Sequence, residues 1–79
     1  MQVGCGVYLH TVRKRVYLYF WHYETKGRLR MQVKEYVGPA RSSRSIAEAA
    51  RRCEGYYERA MAELQRLRSA SLAMIRGSS

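Results

Sequence analysis

The segment from Val16 to Tyr23 carries the densest run of aromatic side chains in this chain. In an extended strand the side chains alternate between two faces. One face holds Val16, Leu18, Phe20 and His22, and can line a core. The other face holds four large aromatic residues, Tyr17, Tyr19, Trp21 and Tyr23. Aromatic rings on an open surface can stack on nucleic-acid bases, so this second face is the candidate for binding chemistry.

A basic segment downstream supplies the other half of the same chemistry. From Arg28 to Val37, aliphatic residues alternate with a polar set, Arg28, Arg30, Gln32, Lys34 and Tyr36. Lysine and arginine bind phosphates, and arginine also pairs with guanine edges in the major groove, which admits a β-ribbon. Folded as a hairpin, the two segments could form one aromatic and basic surface for nucleic acid.

The length of the loop between the two segments decides whether their chemistry shares a face. An even loop, such as the four residues from Glu24 to Gly27, places Trp21 opposite Arg30 on the polar face. An odd loop would bury the aromatic set and leave the aliphatic residues among the cations. Because that slip exposes aliphatic surface, we predict the even register, with Trp21 and Arg30 as the most specific pair of the site.

Positive charge is concentrated in the same half of the chain. The 79 residues carry 15 Lys and Arg against 6 acidic residues, a net charge of +9. Residues 1–43 contribute eight of these cations and only two acids, whereas later cations alternate with glutamates at helical spacing. The excess indicates a polyanionic partner, for which nucleic acid is favoured over a membrane surface. The predicted nucleic-acid-binding residues are Tyr8, Arg13, Lys14, Arg15, Tyr17, Tyr19, Trp21, Tyr23, Lys26, Arg28, Arg30, Gln32, Lys34, Arg41 and Arg44.

Catalytic and metal-binding chemistry find little support in the sequence. The chain has no aspartate, and neither His10 nor His22 has a carboxylate or cysteine partner at a recognisable spacing. Cys5 and Cys53 lack the spacing of a zinc site, so we expect two small buried thiols, with a disulfide as the less favoured alternative. We therefore expect no enzyme activity, no metal and no cofactor.

Membrane insertion and export are also not indicated. No segment approaches the ~20 consecutive apolar residues of a spanning helix, and no basic patch followed by an apolar stretch marks a signal peptide. The expected location is cytoplasmic, with the protein associated with the nucleoid.

Three strands are predicted to position the candidate residues. Alternating side chains predict strands over residues 2–10, 16–23 and 28–37, and Gly38-Pro39 ends the third because proline cannot extend a ladder. In this arrangement Gly4 and Gly6 lie on the aromatic face, where Tyr19 or Trp21 can cover them.

One long helix is predicted to follow the strands. The segment from Ser45 to Glu48 matches a capping box, and apolar residues at helical spacing then predict a helix over residues 45–76, with Gly77 as its stop. The whole chain, residues 1–79, is thus predicted to be a single α+β domain, a three-stranded antiparallel meander packed on one long C-terminal helix (β-β-β-α).

The predicted helix is longer than the sheet can cover. About 30 residues at ~1.5 Å per residue reach ~45 Å, whereas an eight-residue strand spans only ~26 Å. Residues 64–76 would overhang, and their apolar side chains need a partner. We predict a homodimer through Leu64, Leu67, Leu72, Met74 and Ile75, with a frayed or bent-back tail as the alternative.

The function that these features favour is binding of duplex DNA through the aromatic and basic sheet face, in an architectural or regulatory role. One alternative is binding of single-stranded DNA or RNA by aromatic stacking. Another is a protein–protein interaction module, such as a viral inhibitor, that uses the same face. In the plainest alternative the aromatic residues form a second small core, under the helix or a dimer mate, and the cations serve solubility.

A family resemblance extends over residues 3–62. It rests on the aromatic strand Tyr17 to Trp21, the Lys26-Gly27 turn, the basic strand from Arg28 to Lys34, and the segment Tyr36 to Ala40. This order resembles the arm-binding domains of tyrosine recombinases (integrases), the plant ethylene-response-factor DNA-binding domain, and small archaeal plasmid and virus proteins. The resemblance implies a sheet placed in the major groove and backed by one helix, with Trp21, Arg28, Arg30 and Lys34 facing DNA. The chain departs from the integrases in carrying no catalytic domain and in its longer helix.

Overall fold

A computed structural model of the chain, which describes residues 3–77, contains three strands followed by one helix. The strands are β1 (Cys5–Val12), β2 (Arg15–Lys26) and β3 (Leu29–Pro39), and the helix is α1 (Ser43–Ile75). The strands form one antiparallel sheet in the order β1-β2-β3. The predicted α+β meander with one long C-terminal helix is therefore confirmed. The predicted start of the first strand, Gln2, lies outside the described residues.

Both hairpin turns contain two residues. Val12 pairs with Arg15 across Arg13 and Lys14, which have φ angles of 50° and 67°. Positive φ at both central residues is the type I′ pattern, which normally selects Asn-Gly. The second turn places Gly27 at φ 62° between the paired residues Lys26 and Leu29. The predicted four-residue loop is wrong, but a two-residue loop is also even, so the predicted sharing of faces is confirmed.

The turn lies two residues further along the chain than predicted, which moves the pairing of β2 with β3 by four residues. Trp21 lies opposite Lys34, and Arg30 lies opposite Thr25. The predicted pairing of Trp21 with Arg30 is therefore wrong, because β2 continues past Tyr23 to Lys26 and β3 begins only at Leu29. Four residues correspond to ~13 Å along a strand, so Arg30 shares the face of Trp21 but lies well beyond it.

A bulge in β3 lies a few residues before the start of the helix. Tyr36 pairs with Tyr19 and Gly38 pairs with Leu18, which leaves Val37 without a partner on β2. The bulge turns Gly38 towards the helix, where it is buried. A Cβ at this position would overlap the side-chain oxygen of Ser45. The first turn of α1 can therefore approach the sheet closely only because residue 38 is glycine.

The helix begins before the predicted capping box. Its N-cap is Ser42, whose side-chain oxygen accepts a hydrogen bond from the backbone nitrogen of Ser45 at 3.4 Å. The predicted box from Ser45 to Glu48 is wrong, because Ser45 already lies in the first helical turn and Glu48 instead pairs with Arg52 at 3.2 Å. At the other end Gly77 has φ 63° directly after the C-cap, as expected for a helix stop.

The core is small and lies between α1 and the middle of β2. The buried apolar residues are Leu18, Phe20 and Ala49. Tyr56 fixes the far end of this contact, since its hydroxyl donates to the carbonyl oxygen of Tyr23 and accepts from the backbone nitrogen of Gly4, both at 3.1 Å. The helix is thus attached to the sheet by a few apolar side chains, by the bridging hydroxyl of Tyr56 and by a hydrogen bond from Arg52 to the carbonyl oxygen of Tyr36.

The two cysteines meet where β1 passes the helix. Their sulfur atoms are 3.1 Å apart, and both thiols are free. Burial raises the pKa of the Cys5 thiol to about 11, and its hydrogen bond with Cys53 adds to the shift. Both residues are free but only half-buried, so the prediction of two small buried thiols overstated their burial.

The close approach at Gly38 yields a prediction about stability. Replacing Gly38 with alanine should lower the free energy of unfolding by about 1–3 kcal/mol, since the new methyl group meets the Ser45 side chain. Adding Ser45→Ala should restore part of this loss by removing the opposing hydroxyl. Urea denaturation followed by circular dichroism measures both changes.

A matched control is Gly55→Ala in the middle of α1. The added Cβ there meets only the mobile end of Arg59, at 3.4 Å, so the better helix propensity of alanine should raise stability by up to ~1 kcal/mol. Equal losses for Gly38→Ala and its double variant with Ser45→Ala would contradict the packing described here.

Candidate nucleic-acid interface

The face of the sheet turned away from α1 is built of aromatic rings. Centroid distances within it are 5.2 Å between Tyr8 and Tyr19, 5.6 Å between Tyr19 and Tyr36, and 5.9 Å between Tyr17 and Tyr36. The ring of His10 meets Tyr19 edge-on at 5.9 Å, so the cluster crosses all three strands. Since α1 packs on the side of Leu18 and Phe20, these aromatic residues do not form a second core beneath the helix.

Two glycines, Gly6 on β1 and Gly4 just before this strand, lie under the remaining aromatic residues. A Cβ on Gly6 would come within 2.9 Å of the Trp21 indole, which therefore covers this glycine closely. At Gly4 the nearest atoms belong to the Tyr23 ring, at 3.6 Å. The predicted covering of the glycines is confirmed for Trp21, while Tyr23 takes the place predicted for Tyr19. The rings are not coplanar, since Trp21 and Tyr23 meet at 71° with their centroids 5.4 Å apart.

Polar and basic side chains of β3 border the aromatic cluster. The ammonium of Lys34 lies 5.6 Å from the centre of the Tyr8 ring, within the range of a cation–π contact. Gln32 lies opposite Tyr23 and is exposed. The structure therefore brings Lys34 and Gln32 to the aromatic face as predicted.

The hairpin of β2 and β3 extends beyond β1 as a two-stranded ribbon. At this end of the sheet Cys5, the first residue of β1, lies opposite His22. Next to this pair, the backbone nitrogen of Tyr23 donates to the carbonyl oxygen of Gly4 at 3.2 Å. Among the described residues, only β2 and β3 continue as strands beyond that point. Three exposed cations occupy this projection, Lys26, Arg28 and Arg30. Side-chain alternation places Arg30 on the aromatic side and Lys26 on the helix side, so the ribbon carries charge on both faces.

Cations also gather at the opposite end of the sheet. Lys14, Arg15 and Arg41 line one open cleft, together with Tyr17 and Pro39. Arg44 lines a different cleft on the β3 side of the helix, with Glu48 and Arg51. The turn at Arg13 and Lys14, with the adjoining Arg15, is called the basic turn below. The structure places Arg41 beside this basic turn but does not bring Arg44 to the predicted face.

A cluster on the helix side of the sheet was not anticipated from the sequence. The buried ring of His22 lies between two carboxylates, with Nδ1 3.6 Å from Glu24 and Nε2 3.5 Å from Glu35. Sequence reasoning found no carboxylate partner for this histidine, because Glu35 arrives from the neighbouring strand and Glu24 was placed in a loop. Across residues 3–77, no three or more His, Cys, Asp and Glu side chains are grouped so that they could hold a metal ion.

Two further observations concern the class of protein. Within the described part of the chain, no helix has both the length and the apolar character needed to cross a membrane. A scan against protein-family models, a search of curated proteins and a search of solved structures each found no match to this chain.

The contact between Gly6 and Trp21 can be tested by fluorescence. Trp21 is the only tryptophan of the chain, so its emission reports on this one site. Replacing Gly6 with alanine should lift the indole from the sheet, shift its emission to longer wavelength and increase quenching by acrylamide. Gly4→Ala is the control, since its Cβ would make only ordinary contacts with Tyr23. The same spectra for both variants would show that Trp21 does not rest on Gly6.

Proposed function

We propose that this protein binds duplex DNA through the aromatic face of its sheet and the basic ribbon that extends from it. The observation that carries the proposal is this open face, which is bordered by exposed cations at both ends and lies opposite the helix. A chain with a net charge of +9 is attracted to any polyanion. The ribbon also has a shape that favours one kind of polyanion over others. A two-stranded β-ribbon is one of the elements that the DNA major groove admits.

The ribbon and the basic turn have different roles in this proposal. Arg28 and Arg30 enter the groove with the ribbon, where arginine can pair with base edges. Lys14, Arg15 and Arg41 bind the phosphate backbone at the other end of the sheet. The aromatic cluster between them packs against the sugars that border the groove.

The packing of the rings favours duplex over single-stranded nucleic acid. Tyr8 and Tyr19 stack on each other at 5.2 Å, with 21° between their planes. Rings that cover one another offer fewer separate faces to successive unstacked bases than the isolated platforms of single-strand binders. Stacking on a single strand is therefore the second candidate, with Trp21 as the residue it would depend on.

The proposal includes a homodimer and a nucleoid-associated role, either architectural or regulatory. Four of the five predicted dimerisation residues are exposed, Leu64, Leu67, Met74 and Ile75, while Leu72 is half-buried. Leu64 is 58% exposed and Ile75 is 79% exposed. Apolar side chains this exposed at the end of a helix support association with another chain.

The ribbon can be tested by a salt titration of DNA binding. Gel shifts with random-sequence duplex, single-stranded DNA and RNA should show tightest binding to the duplex, weakening steeply with salt. The double variant Arg28→Ala/Arg30→Ala should reduce duplex affinity about tenfold or more. It should also lower the salt slope by about 1 for each of the two arginines that contacts a phosphate, since neutralising a phosphate releases a counterion.

Arg68→Ala/Arg76→Ala is the matched control, because it removes the same charge from the helix tail. We expect this control to retain most of the duplex affinity. No detectable binding to duplex at low salt would refute the proposed function, and equal losses for the two double variants would refute the role of the ribbon.

Replacing Arg13 and Lys14 in the first turn should change both the free energy of unfolding and the affinity for duplex DNA. Non-glycine residues in the left-handed region cost roughly 1–2 kcal/mol each, so Asn-Gly at these positions should raise the free energy of unfolding by about 1–2 kcal/mol. The same variant should bind duplex more weakly, because it removes two cations. Thermal denaturation and the gel shift measure the two effects.

Arg13→Ala/Lys14→Ala removes the same charge without supplying better turn residues. This control should lose affinity to a similar extent and gain no stability. Undiminished duplex binding by both variants would exclude the turn from the interface.

A further inference from the structure

The single chain exposes more surface than a compact protein of its size. Its accessible area is 6672 Å², whereas folded monomers of this mass expose about 4,900 Å². Its radius of gyration is 17.2 Å, against about 12 Å for a compact chain of this length. The excess of roughly 1,700 Å² exceeds the ~800 Å² that each partner buries in a standard stable interface. The area is therefore sufficient for another chain to cover.

The two flanks of α1 differ in chemistry. The flank beside β3 is charged, and its clefts are lined by Glu35, Glu48, Arg51, Arg52 and Arg59. The flank beside β1 is an open groove without charged residues, lined by Gly6, Val7, Leu18, Phe20, Ile46, Ala49, Ala50 and Cys53. Val7 is 53% exposed and Ile46 is 56% exposed on this side. The surface that a partner chain would cover therefore lies on the β1 flank of α1.

Strand β1 is also an unprotected edge of the sheet. Its eight residues, Cys5–Val12, contain no Lys, Arg, Asp or Glu, although charged side chains are a common defence of edge strands. The other edge strand, β3, contains Lys34 and Glu35, and Arg52 donates to the carbonyl oxygen of its Tyr36 at 3.3 Å. Only β1 combines an uncharged edge with an exposed apolar side.

The apolar flank continues along the helix beyond the sheet. Ile46, Ala50, Tyr57, Met61 and Leu64 recur at helical spacing on one side of α1 and are all exposed. This stripe leads from the groove beside β1 to the predicted dimerisation residues. One partner chain lying along the stripe would cover both the groove beside β1 and the predicted dimerisation residues.

We infer that the partner is a second copy of this chain, related by a two-fold axis, whose β1 pairs antiparallel with β1 and whose α1 packs along the same stripe. An isologous contact requires a surface that complements itself, and an uncharged antiparallel edge beside an apolar groove meets that requirement. This inference deepens the homodimer of the proposed function. It does not depend on DNA binding, and the helix tail extends the interface without forming it alone.

The test is sedimentation equilibrium of the full chain without DNA at micromolar concentration. The expected mass is twice 9.2 kDa. Leu9→Glu should weaken the dimer about tenfold or more, because the pairing would bury an uncompensated carboxylate. Leu29→Glu is the matched control, since Leu29 is exposed to a similar extent, 69% against 63%, but lies at the ribbon tip. It should leave the dimer unchanged.

Three further measurements complete the test. Ile46→Glu should weaken the dimer from the helix side and replaces Leu9→Glu if that variant fails to fold. A chain truncated after Leu64 should still dimerise. In the unmodified chain, hydrogen exchange at the outer amides of β1 should be slow and become fast on dilution.

A monomeric full chain, fast exchange along the β1 edge, or equal effects of Leu9→Glu and Leu29→Glu would overturn the inference. Loss of the dimer on truncation would assign the interface to the tail instead. All these results are independent of the gel shifts, so failure of the dimer and failure of DNA binding remain distinguishable.

Discussion

Burial of Leu18 and Phe20 under α1 is the interaction on which the rest of this structure depends. Side chains alternate along β2, so fixing these two residues inward turns Tyr17, Tyr19 and Trp21 outward without any further cause. Among residues 3–77 the only other buried apolar residue is Ala49, and further attachment comes from the hydroxyl of Tyr56 and from the hydrogen bond that Arg52 donates to Tyr36. The open aromatic face is therefore a consequence of where the helix packs. A different helix position would exchange the two faces and remove the candidate site.

The face of each strand residue could be predicted from sequence, whereas its exact neighbour could not. Alternation with period two places Leu18 and Trp21 on opposite faces of β2 whatever the loop, and any even loop places Lys34 on the face of Trp21. Which residue pairs with Trp21 depends on the turn, and Glu24 to Lys26 can extend a strand as readily as they can form a loop. Contacts between residues that are distant in the sequence could not be predicted either. Glu35 reaches His22 from the next strand, and Tyr56 reaches Gly4 from the helix.

The surfaces of the molecule divide between two kinds of contact. Charge lies at the basic turn, on the ribbon and on the β3 flank of the helix, while β1 and the adjoining helix side are uncharged. A polyanion and a second protein chain would therefore not compete for the same residues. The aromatic face, the basic turn and the ribbon remain open when the β1 flank is covered. This separation would allow the proposed DNA binding and the proposed self-association to occur in one small chain.

The bulge at Val37 has a consequence for how this chain can vary in length. Tyr36 and Gly38 pair with adjacent residues of β2, and Val37 lies between them without a partner. A deletion of Val37 would remove the bulge yet leave Tyr36 on the aromatic face and Gly38 beneath Ser45. A deletion between Leu29 and Tyr36 would instead change the register or the face of the residues before it. Homologous chains should therefore tolerate a one-residue gap at position 37 and resist gaps in the rest of β3, so an alignment of relatives would carry the signature of this single irregularity.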